Sequence, residues 1–144
     1  MNQITTQYVT ENGACYEQYV ITDPAAKTSL TITPERGGMI TGFTLDGDEY
    51  IWTRRPNFSE CNRPRFGVPV LFPSCGNPDG GVHNFDGKAY PMETHGFADL
   101  CGWDVESVGP DGVTLALEST PLTKFLYPFD FTLLVNYNLE GTKA

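Results

Sequence analysis

Apolar and polar residues alternate with a period of two along much of the chain, as half-buried strands do, and helical periodicity is nearly absent. Residues 16–22 (YEQYVIT) alternate and are broken by Asp23-Pro24. Residues 29–33 (SLTIT) alternate again and end at Pro34. Gly37-Gly38 turns the chain into an apolar stretch at 39–45, Asp46-Gly47 is a hairpin signal, and residues 49–53 (EYIWT) read as the return strand. The pattern resumes at 103–108, is interrupted by Gly109-Pro110-Asp111-Gly112, and continues cleanly through 113–118 (VTLALE). After a connection at 121–128, residues 129–139 (FDFTLLVNYNL) give the strongest strand signal of all.

The stretch 54–95 differs. Pro56, Pro64, Pro69, Pro73, Pro78 and Pro91 fall within it, with one short apolar run at 68–72. It predicts a long irregular connection, and such loops usually carry function. Both histidines of the chain, His83 and His95, lie in it. Together these signals predict an all-β protein, an antiparallel β-sandwich or open sheet, as a single domain over residues 1–144. Residues 139–143 read as a hairpin whose second strand does not follow, which leaves an unpaired edge for a partner or further chain to cover.

Composition narrows the chemistry. The 144 residues carry a net charge of −9, so nucleic acid and anionic membranes are poor partners and neutral ligands remain open. Cys15, Cys61, Cys75 and Cys101 are widely and irregularly spaced, which argues against a zinc site and for reduced, buried thiols. No signal peptide and no membrane-spanning stretch is visible, and the protein is read as cytoplasmic.

Two segments hold the candidate chemistry. One is Arg65-Phe66-Gly67-Val68-Pro69-Val70-Leu71-Phe72-Pro73, followed by Cys75-Gly76-Asn77. The other is Thr94-His95-Gly96-Phe97-Ala98, followed by Trp103. In order and spacing these segments resemble the galactose mutarotase-like (aldose 1-epimerase) family, especially its hexose-6-phosphate epimerase branch. Pro34-Glu35-Arg36-Gly37-Gly38 and Tyr127-Pro128-Phe129-Asp130-Phe131 extend the resemblance from about residue 15 to the end. It implies a truncated galactose mutarotase-like sandwich that acts on the anomeric centre of a sugar without a cofactor or metal.

Mutarotation removes the proton of the C1 hydroxyl and protonates the ring oxygen, so it needs a base and an acid about one sugar. The resemblance implies that both, a glutamate and a histidine, belong to the C-terminal half of such an enzyme. This chain has no counterpart to them and is expected to be inactive or weak alone. The N-terminal half supplies an arginine and a first histidine that orient the sugar, here Arg65 and His95. A guanidinium fork suits adjacent oxygens, although Arg36, Arg54, Arg55 and Arg63 compete with Arg65 for that role. A neutral imidazole can donate to one oxygen while accepting from another group.

Weaker candidates are Asn77, which reads first as a turn former, and Trp103, which with Phe72 can stack on a sugar face or serve the core. His83 is expected at a solvated hairpin tip. Asp99 stands where phosphate-preferring relatives have arginine; a free anion there would repel a phosphate, which points to an unphosphorylated hexose. Three alternatives accompany this reading. One is a carbohydrate-binding module without turnover, another a half-sandwich that homodimerises through its exposed strand edge. The third is a glycosidase using Asp46, Asp48 and Glu49, which is disfavoured because those residues sit on a turn.

Overall fold

The computed structural model describes residues 1–53, 57–59, 63, 65–110 and 112–144. Strands β1 (Gln3–Glu11), β2 (Ala14–Asp23), β3 (Thr28–Thr33), β4 (Met39–Leu45) and β5 (Asp48–Glu49) form a five-stranded antiparallel meander in chain order. Strands β6 (Val82–Phe85) and β7 (Lys88–Pro91) form a separate hairpin. Strands β8 (Asp104–Gly109), β9 (Gly112–Glu118) and β10 (Thr132–Tyr137) form a three-stranded sheet in the order β10-β9-β8.

Register explains why the two larger sheets pack on each other. In the first, Ile21 pairs with Leu30 and Leu30 with Phe43, while Tyr19 pairs with Ile32 and Ile32 with Ile40. Because side chains alternate across a pleat, these rows project from one face. In the second, Leu115 pairs with both Val105 and Val135, and Leu117 with Leu133. Ile21, Leu30, Ile32, Val113, Leu115, Leu117, Ala98, Trp103 and Leu139 close into one buried cluster drawn from both sheets. The expectation of an antiparallel all-β architecture is met.

Particular elements depart from expectation for identifiable reasons. Strand β1 carried no alternating signal because its mid-section, Thr5 to Tyr8, is exposed on both faces; among the described residues it pairs only with β2 and lies at the sheet edge. The Asn12-Gly13 turn that joins them has both residues at positive φ, +51° and +80°, the geometry that matches strand twist. The strand expected at 49–53 shrinks to Asp48–Glu49 because the Glu49 carboxylate intervenes. It accepts from the Phe43 amide at 2.8 Å and the Ile51 amide at 2.7 Å, in place of ladder bonds. The stretch expected to be irregular contains the β6–β7 hairpin, and two isolated bridges, Ile40 with Val68 and Phe72 with Gly96, tie it to the sheets.

His83 is not at the hairpin tip. It sits within β6 opposite Tyr90, half-buried and edge-on to Phe85, while Asp86-Gly87 makes the turn. Trp103 also differs from its candidate role. It is 4% exposed, donates its indole N–H to the Ala98 carbonyl at 3.0 Å, and its ring lies against Gly38. A Cβ at Gly38 would come within 2.9 Å of that ring. Trp103 is therefore a core residue and not a sugar platform. Among the described residues no helix is long and apolar enough to cross a membrane. Cys15, Cys75 and Cys101 are free thiols, but Cys15 and Cys75 are exposed and Cys101 is half-buried, which corrects the expectation of buried ones; Cys61, Arg54 and Arg55 lie outside the described residues.

Candidate functional site

Arg65, Asn77 and His95 come from three separate parts of the chain and line one open cleft of about 570 Å³, together with Arg63, Gly81, Met92, Glu93 and Thr94. Arg65 is exposed beside Phe66, which anchors its segment in a small second core with Met39 and Phe58. The backbone of that segment is pinned where the Gly67 amide donates to the Trp52 carbonyl at 3.0 Å and the Val68 amide to the Ile40 carbonyl at 2.8 Å. Arg36, the competing arginine nearest in sequence to the first sheet, is buried and donates from Nε to the Phe58 carbonyl at 2.8 Å.

His95 lies on a tightly folded segment. Its backbone is left-handed, with φ of +68°, and Gly96 follows at +76°. A Cβ at Gly96 would fall 2.2 Å from the Phe72 carbonyl oxygen, so only glycine allows this approach. The same carbonyl accepts from the Phe97 and Ala98 amides at 2.9 and 3.2 Å. On the other side, Gly76 and His95 exchange two hydrogen bonds. The His95 amide donates to the Gly76 carbonyl, and the Gly76 amide donates to His95 Nδ1, both at 2.9 Å. Thr94 Oγ1 donates to Asn77 Oδ1 next to this pair.

Arg63, which the sequence offered only as a rival of Arg65, braces the segment. One Nη lies 2.6 Å from each carboxylate oxygen of Asp99, and the other donates to the Gly96 carbonyl at 2.8 Å and stands 3.6 Å from Glu93. Asp99 is 1% exposed. Burial raises its carboxyl above the ordinary range, and the Arg63 guanidinium opposes that rise. The reading of Asp99 as a free anion facing the ligand is thus corrected. Its charge is compensated inside the protein, and the electrostatic argument against a phosphorylated sugar falls with it.

Two arginines bias this wall toward hydrogen-bond donation. Arg63 and Arg65 can only donate. Among the described lining residues the one carboxylate, that of Glu93, is 82% exposed and faces Arg63. Among the described residues no group of three or more His, Cys, Asp or Glu side chains is placed to hold a metal. An oxygen-rich, polar small molecule fits such a wall better than an apolar one.

Fold and cleft define a β-sandwich of the galactose mutarotase-like class. The family model for aldose 1-epimerase matches residues 17–144, and the chain belongs to that family. It is similar over 98% of its length to the Slr1438 protein from Synechocystis sp. PCC 6803, at 30% identity and a TM-score of 0.82. It is similar over 94% to a galactose mutarotase-like protein from Lactobacillus casei ATCC 334, at 25% identity and a TM-score of 0.67. A galactose 1-epimerase from Lactobacillus acidophilus NCFM shares the fold over 96% of the chain, at 17% identity and a TM-score of 0.69. The chain spans about half the length of these solved structures, 48%, 40% and 46% respectively. No curated protein matches it by sequence.

Proposed function

We propose that the protein acts in aldose 1-epimerisation, the interconversion of the α and β anomers of a hexose, and that these residues hold and orient the sugar. The observation that supports this is the convergence of Arg65, Asn77 and His95 on one cleft in a chain of this family. In the reaction a base takes the C1 hydroxyl proton, an acid protonates the ring oxygen, and the C1–ring oxygen bond breaks. The open aldehyde then rotates and recloses on its other face. Arg65 and His95 would fix the sugar oxygens so that this proton exchange meets a defined geometry.

The base and acid are assigned to the part of the family fold that this chain does not span. Glu93, on the cleft wall, faces Arg63, and Asp99 is buried behind it against the same guanidinium, so neither is a good base there. Free glucose and galactose are the first substrates of choice. Glucose 6-phosphate belongs beside them, because Arg63 and Arg65 both line the cleft and Asp99 is neutralised.

The test is anomer exchange by polarimetry, with freshly dissolved α-glucose, α-galactose or α-glucose 6-phosphate and His95→Ala alongside. Acceleration over buffer that disappears in the variant supports sugar handling at this cleft and gives the chain turnover of its own. Sugar binding without acceleration supports a second reading, a carbohydrate-binding role. Neither binding nor acceleration with any of the three sugars rejects both. Self-association through the open edge of β10 belongs to the proposal only if light scattering finds a dimer.

A further inference from the structure

The reciprocal pair between Gly76 and His95 carries chemical information beyond holding a loop. A backbone amide can only donate, so the 2.9 Å contact from the Gly76 amide makes Nδ1 the acceptor. A neutral imidazole has one N–H, which must then reside on Nε2. The return bond, from the His95 amide to the Gly76 carbonyl, closes a ring that keeps the imidazole in register with residue 76. The backbone is set for this: φ is +104° at Gly76, +68° at His95 and +76° at Gly96. Beside it, Asn77 Oδ1 accepts from Thr94 Oγ1, which leaves the Asn77 amide nitrogen as a donor.

We propose that Gly76 is a positioning residue that fixes His95 as an Nε2–H donor, so that His95 donates to a hydroxyl oxygen of the sugar and is excluded as the base. With Nδ1 occupied and Nε2 protonated, the ring has no lone pair with which to take the C1 proton. The tautomer stands independently of the function proposed above; the recognition of a sugar oxygen rests on it.

Three measurements on the full chain test this. The chain has two histidines, so 15N spectra contain two imidazoles, and His95→Asn identifies which is His95. A pyridine-type Nδ1 and a pyrrole-type Nε2 are expected for His95. A pyrrole-type Nδ1, or averaging between tautomers, overturns the proposal. The second measurement compares His95→Asn with His95→Gln. The asparagine carbonyl can take the Nδ1 position and tolerates positive φ, so this variant should melt with the parent chain yet bind glucose about tenfold more weakly. Glutamine reaches the Nε2 position but leaves the Gly76 amide unpaired, so it should melt lower and retain more of the affinity. The reverse order overturns the proposal.

The third measurement uses deoxyglucoses and the matching deoxyfluoroglucoses, because fluorine can accept but not donate. At one position the deoxy compound should lose affinity while the fluoro compound keeps it, and His95→Asn should abolish that difference. Equal loss for both compounds at every position overturns the recognition. If glucose does not bind while the tautomer is as expected, the role of Gly76 stands and the sugar reading fails.

Discussion

Arg63 and Asp99, 36 positions apart in the chain, meet with a guanidinium nitrogen 2.6 Å from both carboxylate oxygens, and this pair holds the segment that carries His95. The same guanidinium donates to the carbonyl of Gly96, the residue that follows His95. Nothing in the local sequence around either residue announces the other as its partner. The pair is a product of chain folding, and it sets both the charge and the shape of the cleft wall.

Removing one partner should cost more than removing both. Arg63→Ala leaves the Asp99 carboxylate buried without compensation and should destabilise the protein by about 3 kcal/mol. Arg63→Ala with Asp99→Ala should recover part of that loss. Urea denaturation of the two single variants and the double variant measures the coupling, and strict additivity would show that the pair contributes nothing beyond its separate parts.

Tyr137 should make stability pH-dependent in alkali. Burial pushes its phenol from 10.0 up to about 12, and its hydroxyl donates to the Gly38 carbonyl. The folded value lies above the unfolded one, so the contribution is fully present below about pH 10. It falls as pH rises toward 12, by up to about 1.4 kcal/mol per pH unit. Tyr8, through its hydrogen bond with Glu17, and Tyr19, through burial, are also raised, so the comparison must be differential. Denaturation midpoints of the parent and Tyr137→Phe should diverge near neutrality and converge in alkali; a constant difference would refute the assignment.

Gly96→Ala should be among the most damaging small substitutions. The new methyl group would meet backbone, the Phe72 carbonyl at 2.2 Å, and that carbonyl also takes the Phe97 and Ala98 amides. A loss of at least about 3 kcal/mol is expected from strain and clash together. Gly87→Ala, where nothing lies within 4 Å and φ is +78°, should cost only the backbone strain of about 1 kcal/mol. Thermal melts of both variants separate the steric from the conformational part.

The two faces of the β8–β10 sheet should respond oppositely to truncation. Leu115 is fully buried between the sheets, and Leu115→Ala should cost about 2–5 kcal/mol. Leu134, on the outer face of β10, is 56% exposed, and Leu134→Ala should change stability by under about 1 kcal/mol. Equal losses would mean that Leu134 is covered in solution, as self-association along this face would require.

The alternating runs at 113–118, 29–33 and 16–22 announced strands directly, because a half-buried strand writes its pleat into the order of residues. The ordered segments around Arg65 and His95 made the family legible for the same reason: they are local and keep their spacing. What only the tertiary structure decided depends on residues distant in sequence. Strand β1 was silent because its middle faces water on both sides and its order comes from pairing with β2. Trp103 turned inward because Gly38 leaves room for its ring and Ala98 offers a carbonyl. Asp99 lost its free charge to Arg63, and His95 was committed to one tautomer by an amide 19 positions away. Local pattern specifies where strands run, whereas burial, charge compensation and proton placement are settled by which partners the fold brings within reach.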